Sequence, residues 1–180
     1  MNRNINKMIT KKLLLGVSLS ILGVFSFNIP VHAGSNAGLT IFSGVDRKDI
    51  LDYHLDFGGV PGGTDRYKLY IPAKKLNQGA SRFFISYPDY FNGVFDTKSI
   101  EVRVAGKSVP LKDIYWDKES HYIEINLLNP IPDNSEATIV LSNVYNPQIG
   151  TYYFYGDAQM TGNAPLRYYL GTWIISIDRN

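Results

Sequence analysis

The chain has 180 residues, 18 Lys and Arg against 16 Asp and Glu, and no cysteine. That length suits one domain plus a targeting segment, and the missing cysteine excludes a disulfide framework, thiolate zinc or iron–sulfur sites and a cysteine nucleophile. The excess basicity belongs to the N-terminus: setting aside Arg3, Lys7, Lys11 and Lys12 leaves 14 basic against 16 acidic residues, a net of −2, which argues neither for nucleic acid nor for an anionic membrane as partner.

Those four cations precede an uncharged apolar run over 13–27, and Val31-His32-Ala33 supplies small residues at the usual cleavage positions. This is the pattern of a secretory signal peptide, and the run is shorter than the roughly 20 residues a membrane span needs. The expected organisation is a leader over 1–33 and a single domain over 34–180. It would be exported to the periplasm, the outer cell surface or the medium, with no membrane span after cleavage.

After a small, polar lead-in, Leu39-Thr40-Ile41-Phe42 suits a first strand, and residues 45–51 suit a helical turn or loop. Residues 53–57 alternate, with Tyr53, Leu55 and Phe57 on one side and His54 and Asp56 on the other. The glycine-rich run 58–63 breaks them. Further strands follow over 66–71, 82–87, 100–104 and 121–127, with one helical turn over 73–76, a loop around Gly93 and a turn over 117–120. Residues 129–134, carrying Pro130 and Pro132, read as a rigid connector outside any sheet.

The C-terminal third organises the rest. In Thr151-Tyr152-Tyr153-Phe154-Tyr155, Tyr152 and Phe154 share one face and Tyr153 and Tyr155 the other. In the last strand Tyr169, Gly171, Trp173, Ile175 and Ile177 read as the core face, with Gly171 leaving room beside the Trp173 indole. Eight or nine short strands with no amphipathic helix of useful length predict an all-β fold, an immunoglobulin-like antiparallel β-sandwich preceded by the signal peptide.

Several segments, in order, carry a family resemblance: Ile71-Pro72-Ala73; Tyr87-Pro88 with Tyr90 and Gly93; Phe95-Asp96 leading to Ile100-Glu101-Val102-Arg103; Pro130-Ile131-Pro132; Val140-Leu141-Ser142-Asn143-Val144 with Asn146-Pro147; and Tyr169-Leu170-Gly171-Thr172-Trp173. Together they resemble DUF2808, a cyanobacterial family of unknown function, over nearly all of the predicted domain. Gln148-Ile149-Gly150 stands where the family pattern has Gly-Gly after the Asn-Pro. The resemblance implies an exported protein with one small β domain, and it carries over no catalytic residue.

Read as chemistry, the residues favour contact over reaction. No serine stands in a Gly-x-Ser-x-Gly turn, and His54 and His121 are the only histidines beyond the leader. Copper held by His54, His121 and Met160 would require three distant segments to converge. Asp117 and Glu119 fall in a turn with no second acid tied to them, and the 58–63 loop lacks the Lys and Ser or Thr of a phosphate cradle. No cofactor is called for. The one ion these residues offer is Ca²⁺, through Asp46, Asp49, Asp52 and Asp56, with Asp65 nearby, although their spacing follows no known loop motif.

The aromatic surplus, 13 Tyr, nine Phe and two Trp, is the more informative feature. Tyr145, Tyr153, Tyr155 and Tyr168, left exposed on a flat face, would stack on sugar rings or anchor a protein. The expected function is a non-enzymatic binding or structural module of the cell envelope, its partner a protein or a surface polysaccharide. The rival is a carbohydrate- or metal-dependent enzyme with its site between Asp46 and Asp65. A third reading is self-assembly, in which the run 38–45 completes a neighbour's sheet.

Overall fold

Period-two alternation becomes strand over most of its length in the computed structural model, which describes residues 44–161 and 166–179. The strands are β1 (Ile50–Leu51), β2 (Tyr53–Leu55), β3 (Thr64–Ile71), β4 (Ala80–Ser86), β5 (Ile100–Val104), β6 (Lys107–Val109), β7 (Leu111–Asp117), β8 (Tyr122–Ile131), β9 (Ala137–Tyr145), β10 (Gly150–Gln159) and β11 (Arg167–Ile177). Short 3₁₀ turns occupy Arg47–Asp49, Ala73–Lys75 and Thr97–Ser99. The chain divides into the units Met1–Gly34 and Ser35–Asn180. The first, with the expected leader, lies outside the described residues, as does the expected strand over 39–42. The second carries all eleven strands and folds around its own core.

The strands form two sheets, ordered β1-β11-β10-β4-β8-β7 and β2-β3-β9-β5-β6. The stretches β2-β3-β9-β5 and β11-β10-β4 match the two sheets of an immunoglobulin domain, and β8 and β7 widen the second beside β4. They enter the chain between β5 and β9, however, and not directly after β4 as the extra strands of the variable type do. The N-terminal strand is shared between sheets. β1 pairs parallel with β11, and after Asp52 the chain crosses to pair β2 antiparallel with β3. The protein is an immunoglobulin-like β-sandwich.

Apolar side chains on the inner faces make the core. β3 contributes Tyr67, Leu69 and Ile71, β9 contributes Ile139 and Leu141, and the facing sheet contributes Phe83, Ile85, Ile123, Ile125, Phe154, Trp173 and Ile175. At one end Tyr87, Phe91, Phe95 and Tyr152 close it, with the Phe91 and Phe154 rings edge to face at 4.9 Å. The buried Tyr67 hydroxyl donates to Asn146 Oδ1 at 2.7 Å. Burial, reinforced by the Asp65 charge, pushes Tyr67 ionisation above the ordinary tyrosine range. An unfolded tyrosine loses its proton near pH ~10, so this contribution to stability is complete below that pH and drains away as pH climbs towards the folded value. The melting temperature is therefore expected to hold from about pH 8 to 9.5 and to fall above about 10. A melt at pH ~11.5 matching that at pH ~9 would contradict the linkage.

Four details depart from the sequence reading. Strand β2 ends at Leu55, and Phe57, expected on its apolar side, is 59% exposed in the following turn. Asn129, Pro130 and Ile131 continue β8 and are not a connector. Residue pairing with β7 ends at Leu127 and the Leu128 N–H still donates to the Pro110 carbonyl at 3.0 Å, but beyond it that side of β8 has no ladder and the missing Pro130 N–H breaks nothing. Tyr169, expected in the core, is exposed, and Leu170 is buried in its place. Here a β-bulge sets Gly171 opposite Gly156 but Tyr169 opposite Asp157, and the extra residue reverses the inside–outside phase. Finally, the indole of Trp173 lies against Gly156, where an added Cβ would come within 2.6 Å of two ring carbons. Gly171, at φ +152°, instead faces the Asp49 carbonyl and Leu51.

Candidate functional site

The two outer faces differ in character. That of the five-stranded sheet is charged: Asp56 binds the Lys68 ammonium at 2.7 Å and the Arg66 guanidinium at 3.4 Å, and Arg103 pairs with Glu101 at 3.0 Å. That of the six-stranded sheet is aromatic. Registers align Tyr155 with Ser86, Asp157 with Phe84, and Glu124 with both Phe84 and Tyr115, so Tyr153, Tyr155, Phe84, Tyr122 and Tyr115 share this face. The bulge adds Tyr169. Arg167 donates to Asp157 Oδ2 at 2.6 Å and lies 4.1 Å over the Phe84 ring, which it helps to bury.

At the β11 edge of this face Tyr155 and Tyr169 line a recess of about 560 Å³ with Gly44, Val45, Asp46 and Asp49. The two rings are 44% and 46% exposed. Tyr169 is anchored by a 2.5 Å hydrogen bond between its hydroxyl and that of Thr172, which lies buried beneath it. Burial, the nearby Asp49 carboxylate and the Tyr155 hydroxyl hold its proton on beyond the usual tyrosine range. Asp49 accepts from Lys75 Nζ at 2.8 Å, and this bond keeps its carboxyl below the ordinary carboxylate range. Asp46 pairs with Lys48 at 3.5 Å. The recess thus offers two ring faces, phenolic hydroxyls and two carboxylates, a set suited to a polyhydroxylated ring.

This site joins residues that the sequence had placed in separate groups. The aspartates expected to share a calcium ion are dispersed: Asp46 and Asp49 line the recess, Asp52 lines a neighbouring groove of about 570 Å³ with Arg47, Lys48, Lys74 and Lys75, and Asp56 lies on the other sheet. The crossing from β1 to β2 separates them and gives Asp49 and Asp56 a lysine each. Among the described residues no three His, Asp or Glu side chains gather as a metal-ligand set. Asp65, 0% exposed, accepts from the N–H groups of Phe57, Gly59 and Arg66 at 2.7–2.9 Å.

The other candidates are scattered too. His54 lies 3.5 Å from Asp56 on the charged face, His121 stands edge-on to Tyr87 at the β7–β8 turn, and Met160 is buried beyond the end of β10. Asp117 Oδ1 accepts from the N–H groups of Glu119 and Ser120 and fixes that turn. Of the four tyrosines singled out, Tyr153 and Tyr155 share the aromatic face. Tyr145 stands at the loop end where β9 stops, and Tyr168, level with Ala158, stands at the opposite end. Tyr169 was missed: Gly156 and Gly171 interrupt two aromatic strands, but the bulge lies in how those strands pair and in neither one alone.

The family model described as "Protein of unknown function (DUF2808)" matches residues 39–177. None of the curated proteins matches the chain. Among solved structures, it is similar to BslA, a bacterial hydrophobin, with 15% identity over 73% of this chain and 98% of that one and a TM-score of 0.48. An uncharacterised Nocardia farcinica protein with an immunoglobulin-like fold shows 11% identity over 72% and 99%, TM-score 0.45. The collagen-binding domain of a Staphylococcus aureus adhesin shows 12% identity over 68% and 93%, TM-score 0.38.

Proposed function

The chain belongs to the DUF2808 family, whose description names no activity, and from that premise we propose that it is an exported, non-enzymatic module that binds a surface polysaccharide through the Tyr155–Tyr169 recess. One observation carries the reading: two half-exposed tyrosine rings and two carboxylates share a recess at the edge of an aromatic sheet face. Rings that remain exposed beside fixed acceptors can stack on a sugar and orient its hydroxyls without any further rearrangement. The rival hydrolase needs a carboxyl whose proton is retained near neutral pH. Asp49 is driven the other way by Lys75, which supports binding over acid catalysis. Export belongs to the same proposal, and fractionation of cells carrying a C-terminally tagged chain tests it.

Binding is tested by affinity electrophoresis in gels containing xyloglucan, galactomannan or mixed-linkage β-glucan, and by pull-down on purified peptidoglycan sacculi. Retention by at least one is expected. Tyr155→Ala should weaken it about tenfold, the equivalent of one stacking contact, while Tyr155→Phe and Tyr169→Phe keep most of it. Full retention by a Tyr155→Ala/Tyr169→Ala protein, or no retention of the parent on any matrix, would overturn the proposal.

A further inference from the structure

Six of the twelve large apolar side chains exposed among the described residues stand together at one end of the sandwich. Phe57 and Val60 come from the β2–β3 connection, Tyr90 and Val94 from the β4–β5 connection, and Tyr145 and Ile149 from the β9–β10 turn. Each is between 50% and 59% exposed. The connections touch: Val94 and Tyr145 exchange backbone hydrogen bonds at 2.9 and 3.0 Å, and the Asn146 N–H and side-chain amide donate to the carbonyls of Gly63 and Val60 at 2.8 and 2.9 Å. Residues 57–63, 90–95 and 145–150 contain no Asp, Glu, Lys, Arg or His. Charge flanks them, at Asp56, Asp89, Asp96 and Asp178, at the β7–β8 turn on the far edge of the sheet, and at Arg179, which shares a shallow recess with Val60, Pro61, Gly62 and Gln148.

These apolar tips are held firmly. The buried Asp65 carboxylate ties down the N–H groups of Phe57 and Gly59, and the buried Asn146 joins Tyr67, Val60 and Gly63. A polar brace in the interior therefore fixes loops whose outer side chains stay in water, an arrangement that lowers the ordering cost of binding. We propose that this end docks on the surface of an electroneutral lipid layer. The six side chains present roughly 600 Å², within the range of functional patches but short of the ~800 Å² per partner of a standard protein interface. A second copy is thus poorly served, whereas lipid accepts protruding apolar tips without a matching shape. The absence of charge across the tips suits a neutral layer, and Tyr90 and Tyr145 suit the boundary between acyl chain and headgroup. This surface is separate from the Tyr155–Tyr169 recess, so either proposal stands without the other.

The test uses residues 35–180, which carry all eleven strands and the core, in cosedimentation with phosphatidylcholine vesicles and with vesicles containing one-quarter phosphatidylglycerol. Equal, salt-insensitive binding to both is expected. Phe57→Ser with Ile149→Ser should lower the bound fraction at limiting lipid at least tenfold with little change in melting temperature, and Tyr155→Ala should leave it unchanged. As a measurement independent of that variant, a Phe57→Trp protein should show a blue-shifted emission component on phosphatidylcholine vesicles. The proposal is overturned by absence of binding or of the shift, by parent-like binding of a folded double variant, by binding confined to the anionic vesicles and abolished by salt, or by a concentration-dependent dimer that the double substitution dissolves.

Discussion

Trp173→Ala is expected to lower the unfolding free energy by about 3–5 kcal/mol, the range for emptying a buried Trp or Phe site. The side chain is 0% exposed, and its strand lies between β1 and β10, so neighbours hold it on both sides. Its indole N–H donates to the Tyr70 carbonyl at 3.2 Å, which joins the two sheets and is lost with the ring. The cavity cannot close easily, because the wall on β10 is backbone at Gly156. Equilibrium urea unfolding of the parent and variant measures the loss, and a difference under about 1 kcal/mol would show that the ring is not central to the core. The neighbouring glycine supplies an internal control. Gly156→Ala drives a methyl into the indole and should cost about 1–3 kcal/mol as overpacking. In the Trp173→Ala background that cost should largely vanish, giving a coupling energy well above the ~0.5 kcal/mol of independent sites.

That glycine also shows where reading the sequence stops. Period-two alternation in an unbroken strand is a local property, so Tyr152 and Phe154 facing inward with Tyr153 and Tyr155 outward, or Tyr67, Leu69 and Ile71 sharing the core, could be read directly from residue order. A bulge is a relation between two strands. Counting back from Trp173 along one strand puts Tyr169 inside. Only the pairing of Gly171 with Gly156 reveals the extra residue that turns it outward. Pro130 follows the same logic, since its tolerance in β8 depends on where β7 ends.

The recess was legible in its parts but not as a whole. Tyr155 could be recognised as outward-facing, and Asp46 and Asp49 as acids in a loop. Their meeting depends on β1 pairing in parallel with β11, between residues more than a hundred positions apart, Ile50 with Thr172 and Leu51 with Trp173. Nothing in the local pattern of the β1 segment announces that partner, because a two-residue strand is too short to alternate. The same crossing scattered the aspartates expected around calcium. The apolar end was hidden for a different reason. Its six side chains come from three glycine- or proline-containing connections, where no periodicity exists to say which residues face water.

Asp65→Ala should be the other costly substitution, at about 3–5 kcal/mol, and the more selective one in its effect on function. The carboxylate is wholly buried and accepts three backbone N–H groups, so its removal leaves the donors of Phe57, Gly59 and Arg66 without their acceptor. An unsatisfied buried donor costs about 1–3 kcal/mol, and water reaching the two partly buried ones keeps the total below the simple sum. Asp65→Asn retains one acceptor oxygen but turns an NH₂ group towards N–H donors, so it should fall between the parent and Asp65→Ala. Gly59, held at φ +67° with an added Cβ blocked by Leu55, shows how closely the braced loop is folded back on the sandwich. Released from Asp65, residues 57–63 lose their fixed course, and the apolar end loses the preorganised Phe57 and Val60. Below its lowered melting temperature, Asp65→Ala should therefore bind phosphatidylcholine vesicles several-fold more weakly while retaining parent-like retardation on polysaccharide gels. Urea melts giving a loss under about 1 kcal/mol would show that the buried carboxylate does not brace the loop, and an equal loss of both binding activities would show that it supports the whole fold and not that end in particular.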